Sequence, residues 1–251
     1  MKISIIILTW NSASHIGSCI KALQSTVKIQ ALEWIVVDNG STDSSQLIVE
    51  QLLPEATIIQ NPNNMGVAHA RNQGIEASAG EYVLFIDDDT IALPNAIDKL
   101  CEHLDQQPDC AMAGPQLVNH DGTLQTNALP LPSLRIKSRR IINKIFRIPI
   151  QNQYHELIMA QKPFEPGYLM GACQLIRRKA INVIGLLDES IFYGPEDADY
   201  CFRLKKQGYK IVCLPSVKVI HAHQGKNYDL KRYGLLWSHF KGLIYYWRKH
   251  N

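Results

Sequence analysis

Apolar residues follow two rhythms along this chain, and the alternation between them predicts its elements. Ile3 to Leu8 is a continuous Ile-rich run, the pattern of a strand buried on both faces. After Thr9-Trp10-Asn11-Ser12, residues Ile16, Cys19, Ile20 and Leu23 recur at helical spacing, with Ser12 or Ser14 as candidate caps. Trp34 to Val37 predicts a second strand that ends at Asp38-Asn39-Gly40-Ser41-Thr42-Asp43. Thr42 or Asp43 can cap the next helix, which carries Leu47, Ile48 and Leu52. Thr57 to Ile59 predicts a third strand, the turn-rich Asn61 to Gly66 follows, and a helix is expected from Val67 to Ser78. Tyr82-Val83-Leu84-Phe85-Ile86 is the fourth apolar run, and it leads straight into Asp87, Asp88 and Asp89.

Strands alternating with helices in this way predict an α/β fold, a parallel sheet with right-handed crossovers. Ligands of such sheets bind beyond the carboxyl ends of the strands. Thr9-Trp10-Asn11, Asp38 and Asp87 to Asp89 all fall there. Three adjacent acids repel one another, so a divalent cation shared with phosphate oxygens is one reading of them. A solvated acidic turn capping the helix after Pro94 is the other. No G-x-G-x-x-G follows the first strand and no G-x-x-x-x-G-K-[ST] occurs, which disfavours a dinucleotide-binding dehydrogenase and a P-loop enzyme.

In the second half, Gly167 to Ile176 reads as a strand, Lys179 to Ile184 as a short helix, and Tyr209 to Cys213 and Val217 to Ile220 as two further strands. Glu196-Asp197 opens a helix running through Leu204, with Pro195 suited to the start and the acids to the dipole. Between Gly122 and His155 no acidic residue occurs, while Arg135, Lys137, Arg139, Arg140, Lys144 and Arg147 interleave with Ile and Phe. That mixture suits an anionic surface or a lipid diphosphate, or else a plain surface insertion. The tail from Lys231 sets Tyr233, Leu236, Phe240, Leu243, Ile244 and Trp247 at helical spacing among Lys and Arg. Such a helix either lies at a membrane interface or docks its apolar face on the domain.

Composition narrows the class. A chain of 251 residues with 46% hydrophobic and 20% charged residues suits one large or two small folded domains. A net charge of +3 is too small to imply nucleic acid. The six cysteines form no C-x-x-C pair, and several sit among apolar residues, as in Val212-Cys213-Leu214, which favours buried thiols and a reducing cytosol. The first apolar run is too short for a signal peptide, and no window approaches the length of a spanning helix, so a soluble or peripheral protein is expected.

Taken together, Ile7-Leu8-Thr9-Trp10-Asn11, Val36 to Asp43, Asn61 to Gly74 with Ala70-Arg71-Asn72, Asp87-Asp88-Asp89, Gly171-Ala172-Cys173, Asp188-Glu189 and Glu196 to Asp199 form an ordered set. In that order the chain resembles the inverting glycosyltransferases of family two, in their rhamnosyltransferase-like bacterial branch. The resemblance implies a GT-A fold: a mixed, mainly parallel sheet flanked by helices. It implies one domain over 1–225, with a nucleotide-sugar half (1–115), an acceptor half (116–225) containing the basic insertion 122–155, and a tail over 226–251. Thr9, Trp10 and Asn11 would shape the nucleotide pocket, Asp38 would accept from the pyrimidine imide, and Arg71 would contact the nucleotide or its phosphates. Asp87 and Asp89 match the outer acids of a D-x-D motif for Mg2+ or Mn2+, Asp87 touching ribose or metal and Asp88 the donor sugar. His221 would be a further metal ligand, set against a purely structural strand-end histidine, and His223 would project to the opposite side. Asp197 would be the general base, with Glu196 positioning it or the acceptor.

The implied donor is a UDP- or dTDP-sugar, the acceptor a glycan or lipid-linked sugar of the cell surface, and the setting the cytoplasm or the inner face of an anionic membrane, with no nucleic acid. A sugar-phosphate nucleotidyltransferase would need a Gly-rich basic loop where Thr9 to Ser12 stand. A binding subunit without catalysis would not need Asp87, Asp89 and Asp197 intact.

Overall fold

The computed structural model describes residues 2–133, 153–222 and 233–250. The first half runs β1 (Ile3–Thr9), α1 (Ile16–Thr26), β2 (Leu32–Asp38), α2 (Ser45–Leu52), β3 (Thr57–Gln60), α3 (Val67–Ala77), β4 (Tyr82–Asp87), β5 (Thr90–Ala92), α4 (Ala96–Gln106) and β6 (Cys110–Val118). The second half runs β7 (Ala128–Leu129), α5 (His155–Met159), β8 (Tyr168–Leu169), β9 (Cys173–Arg177), α6 (Arg178–Ile184), α7 (Glu196–Lys206), β10 (Lys210–His221) and α8 (Tyr233–His250). Eight strands form one sheet in the order β3-β2-β1-β4-β9-β6-β10-β5, and β7 pairs with β8 beside it. The neighbours β1 to β4 are parallel, β9 is antiparallel to β4 and β6, β10 is parallel to β6, and β5 closes the edge antiparallel to β10.

Both faces of the sheet are covered, which is why its strands read as unbroken apolar runs. On one face Ile3, Ile5 and Ile7 pack with Ile16, Ile20 and Leu23 of α1 and Ile97, Leu100 and Leu104 of α4. On the other, Ile6 and Phe85 pack with Ala68 and Ala70 of α3, Ala180 of α6, and Tyr200 and Leu204 of α7. Helix α3 sits close because its inner residues are small: a Cβ added to Gly74 would come 2.4 Å from Ile6 Cγ2.

The structure departs from the sequence expectations in four places. Gly167 to Ile176 is two strands, because the chain turns at Gly171, between β8 and β9. Tyr209 to Cys213 and Val217 to Ile220 are one strand, β10, which absorbs Leu214 to Lys218 as a register shift against β6. Strand β6 carries Ala111, Ala113, Gly114 and Pro115, residues of poor strand propensity, and is nevertheless buried at all nine positions. Neither Ser12 nor Ser14 caps α1 by its side chain; Ser12 serves through its carbonyl, which accepts from the Ile16 amide. Asp43 does act at the start of α2, accepting from the amide of Ser45.

All six cysteines are buried thiols, as expected. No helix among the described residues is long and apolar enough to cross a membrane. The basic run of the 122–155 insertion from Arg135 to Arg147, and His223, lie outside the described residues.

Candidate active site

Register brings the strand ends together. Thr9 pairs with Asp38 and Leu8 with Asp87, so the ends of β2, β1 and β4 lie side by side, with β1 between Asp38 and the first acid of β4. The loops after β1 and β2 are tied together: Asn11, at φ 51, donates its amide to Ser41 Oγ at 2.9 Å and accepts from the Thr42 amide at 2.8 Å. Asparagine tolerates that left-handed backbone better than most residues. Trp10 is half exposed, and its amide donates to Asp88 Oδ2.

Asp38 is 1% exposed. Its Oδ1 accepts from the Ser41 amide at 2.8 Å, while Oδ2 is buried without a partner. An orphaned buried carboxylate oxygen is costly, and a ligand N–H would satisfy it. The imide of uracil or thymine offers such a donor, so the orphan fits the expected pyrimidine.

Asp87, Asp89 and His221 converge: one ligand atom from each lies within 4.8 Å of the others. His221 comes from the end of β10, which β5 holds against the aspartate turn; Ala222 donates its amide to the Asp89 carbonyl at 2.9 Å. His221 Nε2 stands 3.3 Å from Asp89 Oδ1, a separation that requires either a shared proton or a cation between two acceptors. Burial works against charge on His221, but the Asp89 hydrogen bond and the neighbouring aspartates raise its pKa; burial likewise opposes Asp89, whose pKa the His221 contact lowers. Two carboxylates and an imidazole suit Mn2+ and Mg2+. Asp88 is different: burial and the charges of Asp87 and Asp89 push its carboxyl up to about 7, against the hydroxyls of Thr9 and Ser12.

Arg71, expected at the nucleotide, is 3% exposed and lies beneath the site. It donates to Asp87 Oδ1 at 3.1 Å and to the Gly171 carbonyl at 2.9 Å, and stands 3.9 Å from Glu196. A Cβ on Gly171 would meet that guanidinium at 2.3 Å, so any side chain there would push Arg71 off its present contacts. Arg71 thus joins the acid of β4 to the acid pair of α7. Asn72 next to it holds the chain before α7, exchanging hydrogen bonds with both main-chain groups of Leu187 and donating to Glu189 at 2.8 Å.

Glu196 and Asp197 begin α7. Glu196 is buried with Oε2 unpartnered, and burial raises its pKa against the pull of Arg71. Asp197 remains partly exposed; burial, and then the Glu196 charge, push it up to about 7, while the Ala198 amide at 2.7 Å opposes them. A carboxyl tuned near neutrality in a cleft is suited to move a proton.

The tail docks and also leaves a face outward. Lys249 bridges Asp188 and Asp199 at 2.6 and 2.7 Å, and His250 meets Asp199 at 2.7 Å. Burial notwithstanding, Lys249, the Ser190 amide and the Tyr245 hydroxyl hold Asp188 down at about 2. Leu243 and Tyr246 are buried, whereas Trp237 is 57% exposed and stacks on the exposed Phe240, with Lys241 over the indole. One residue at the site was not foreseen: Gln125, 2.9 Å from His221 Nδ1, lies in a polar stretch without a motif.

Known proteins resemble this chain in sequence and in fold. The model of Glycosyl transferase family 2 matches residues 4–185. An N-acetylglucosaminyl-diphospho-decaprenol L-rhamnosyltransferase of Mycobacterium tuberculosis is 27% identical, covering 86% of this chain and 75% of its own length. A dTDP-rhamnosyl transferase of Shigella flexneri is 24% identical over 81% of this chain and 64% of its own. Among solved structures, a mannosyltransferase of Pyrobaculum calidifontis in complex with GDP-Man and Mn2+ superposes with a TM-score of 0.66 at 17% identity, covering 92% of this chain and 59% of that one. The last two extend well beyond this chain, which spans less than two thirds of either. The structural likeness identifies the fold as GT-A.

Proposed function

Because the chain belongs to glycosyltransferase family 2, we propose that it is a metal-dependent inverting enzyme that moves a sugar from a UDP- or dTDP-sugar to a hydroxyl of a glycan or lipid-linked acceptor in cell-surface polysaccharide synthesis. The observation that carries this reading is the convergence of three features: the orphaned Asp38 acceptor, the Asp87–Asp89–His221 cluster, and the acid pair that opens α7, where Arg71, bound to Asp87, stands 3.9 Å from Glu196. In this reading residues 1–225 form the transferase domain and 226–251 its tail. The relatives' names make dTDP-rhamnose the first donor to test and a diphospho-polyprenol sugar the first acceptor.

Asp38 orients the base, and Thr9, Trp10 and Asn11 wall its pocket. Asp87, Asp89 and His221 hold Mg2+ or Mn2+, which supplies positive charge for the departing nucleoside diphosphate. Asp88, nearest Trp10, faces the donor sugar. The acceptor oxygen forms its bond to the anomeric carbon as the bond from that carbon to the diphosphate breaks on the opposite side, and its proton passes to Asp197. Arg71 keeps Asp87 and Glu196 in place.

The Asp38 assignment has a direct test. Asp38→Asn keeps an acceptor for the Ser41 amide but places a donor where the imide N–H would bind. UDP and dTDP affinity measured by calorimetry with Mn2+ falls about 10- to 100-fold, the loss of one charge-assisted hydrogen bond. CDP, whose N3 is an acceptor, loses far less. Equal losses for all three would remove Asp38 from base recognition.

The exposed face of α8 supports peripheral contact with an anionic membrane on the cytoplasmic side. The helix has no acidic residue, and Lys241 and Arg248 accompany Trp237 and Phe240. Co-sedimentation with phosphatidylglycerol-containing vesicles is expected to exceed that with pure phosphatidylcholine and to drop in a Trp237→Ala, Phe240→Ala double variant. Equal partitioning of both proteins rules out this contact.

A further inference from the structure

The turn between β6 and β7 carries a chain of polar contacts that ends at His221. Gln125 Oε1 lies 2.9 Å from His221 Nδ1, so the orientation of the Gln125 amide selects the imidazole tautomer. Four contacts fix that amide. Thr123 Oγ1 gives its proton to Asp121 Oδ1 at 2.6 Å, since a carboxylate only accepts. The same hydroxyl therefore accepts from Asn119 Nδ2 at 2.7 Å, which turns Asn119 Oδ1 toward Gln125 Nε2, again at 2.7 Å. The main-chain carbonyl of His221 is a second acceptor on that nitrogen, at 2.7 Å. Gln125 Oε1 is left to face Nδ1, and as an acceptor it calls for a proton there.

We propose that Gln125 is a positioning residue of the metal centre, holding His221 with its proton on Nδ1 and presenting Nε2 to the cation shared with Asp87 and Asp89. The inference rests on the metal reading of those three residues. Its physical content is that a bare imidazole exchanges its proton between two nitrogens, and only one tautomer ligates through Nε2. An outer partner that accepts from Nδ1 removes the competing tautomer, fixes the ring plane and raises the basicity of the ligating nitrogen. The pairing also ties the metal centre to the β6–β7 turn, whose closing contact is the Asn119 amide on the Thr123 carbonyl at 2.8 Å.

The test titrates Mn2+ into the protein with UDP present, reading free Mn2+ by electron paramagnetic resonance, for wild type, Gln125→Leu and Gln125→Glu. Gln125→Leu weakens Mn2+ binding about 10- to 100-fold, the usual cost of losing an outer-shell partner. Gln125→Glu keeps an acceptor for Nδ1–H but sets an oxygen against Asn119 Oδ1 and the His221 carbonyl, so it loses less affinity than Gln125→Leu without recovering the wild-type value. A second readout does not depend on the variants folding: nitrogen-15 spectra of Mg2+-loaded wild type show the His221 proton on Nδ1. Unchanged Mn2+ affinity in a folded Gln125→Leu, or a proton found on Nε2, overturns the inference while leaving the metal centre standing. Failure of wild type to bind Mn2+ overturns the metal centre and this inference with it.

Discussion

Replacing Asp197 with Asn lowers kcat for sugar transfer by about 10²- to 10⁴-fold, the usual contribution of a general base. Affinity for UDP or dTDP with Mn2+ changes little, because the residue lies on α7 and the nucleotide candidates lie on the β1 and β2 ends. The substitution is nearly isosteric and the amide oxygen still accepts from Ala198. Two pH effects separate loss of a base from loss of structure. Asp197 must be ionised to accept a proton, and burial beside Glu196 pushes its pKa up to about 7, so wild-type kcat/KM rises with pH through that value. The residual activity of the Asn variant lacks this rise. Stability moves the other way. A carboxyl whose folded pKa is raised above its unfolded one costs nothing below the unfolded value, and its full cost is present above the folded value. Asp197→Asn therefore gains thermal stability over wild type as pH increases from about 4 to about 7. A variant that is both more stable and far slower at pH 8 marks a group placed for chemistry. Melting curves and initial rates at matched pH give both readings.

Removal of divalent metal by chelation is expected to reduce transfer at least about 10²-fold, since charge stabilisation at a diphosphate is worth several kcal/mol. Mn2+ restores the rate in wild type. Asp89→Ala is not restored at any practical Mn2+ concentration, because Asp89 supplies one of only two carboxylates in the cluster. His221→Ala falls between the two and recovers at higher Mn2+, as the aspartates remain. Asp87→Ala has a second consequence: it removes the partner of the buried Arg71, leaving a cation with 4% side-chain exposure short of one of its acceptors. That variant is expected to lose stability as well as activity, and to melt lower than Asp89→Ala, which gives up its contact with His221 but leaves Arg71 paired. Rates against Mn2+ concentration, with melting curves for both variants, distinguish these outcomes.

The first four strands, the helices between them and the acidic end of β4 were legible because a strand covered on both faces must be apolar throughout, and α1 to α3 keep helical spacing. The pairing of β9 between β4 and β6 was not legible. Antiparallel insertion leaves no local mark on Cys173 to Arg177, and it follows the turn at Gly171, where a side chain would collide with Arg71, 100 residues away. β6 was hidden by its Ala, Gly and Pro content, since its place is set by burial between β9 and β10 and not by propensity.

The site shows the same division. Asp38, Asp87, Asp89 and Asp197 were found as acids at element ends. The arrangement of Arg71 was not, because a guanidinium reads alike whether it meets phosphate or spans Asp87 and Gly171 from below. Gln125 left no signal at all: its role comes from the 96 residues of chain separating it from His221 in sequence and closing onto it in space.

The measurement that bears most directly on the central claim is turnover of UDP- and dTDP-sugars, dTDP-rhamnose first, by purified protein with and without Mn2+, read by mass spectrometry. Metal-assisted glycosyl transfer at this site predicts release of the nucleoside diphosphate from at least one of these donors, dependent on Mn2+ and lost in Asp197→Asn when acceptor is present. Turnover that survives chelation, or that Asp197→Asn leaves intact, would contradict it.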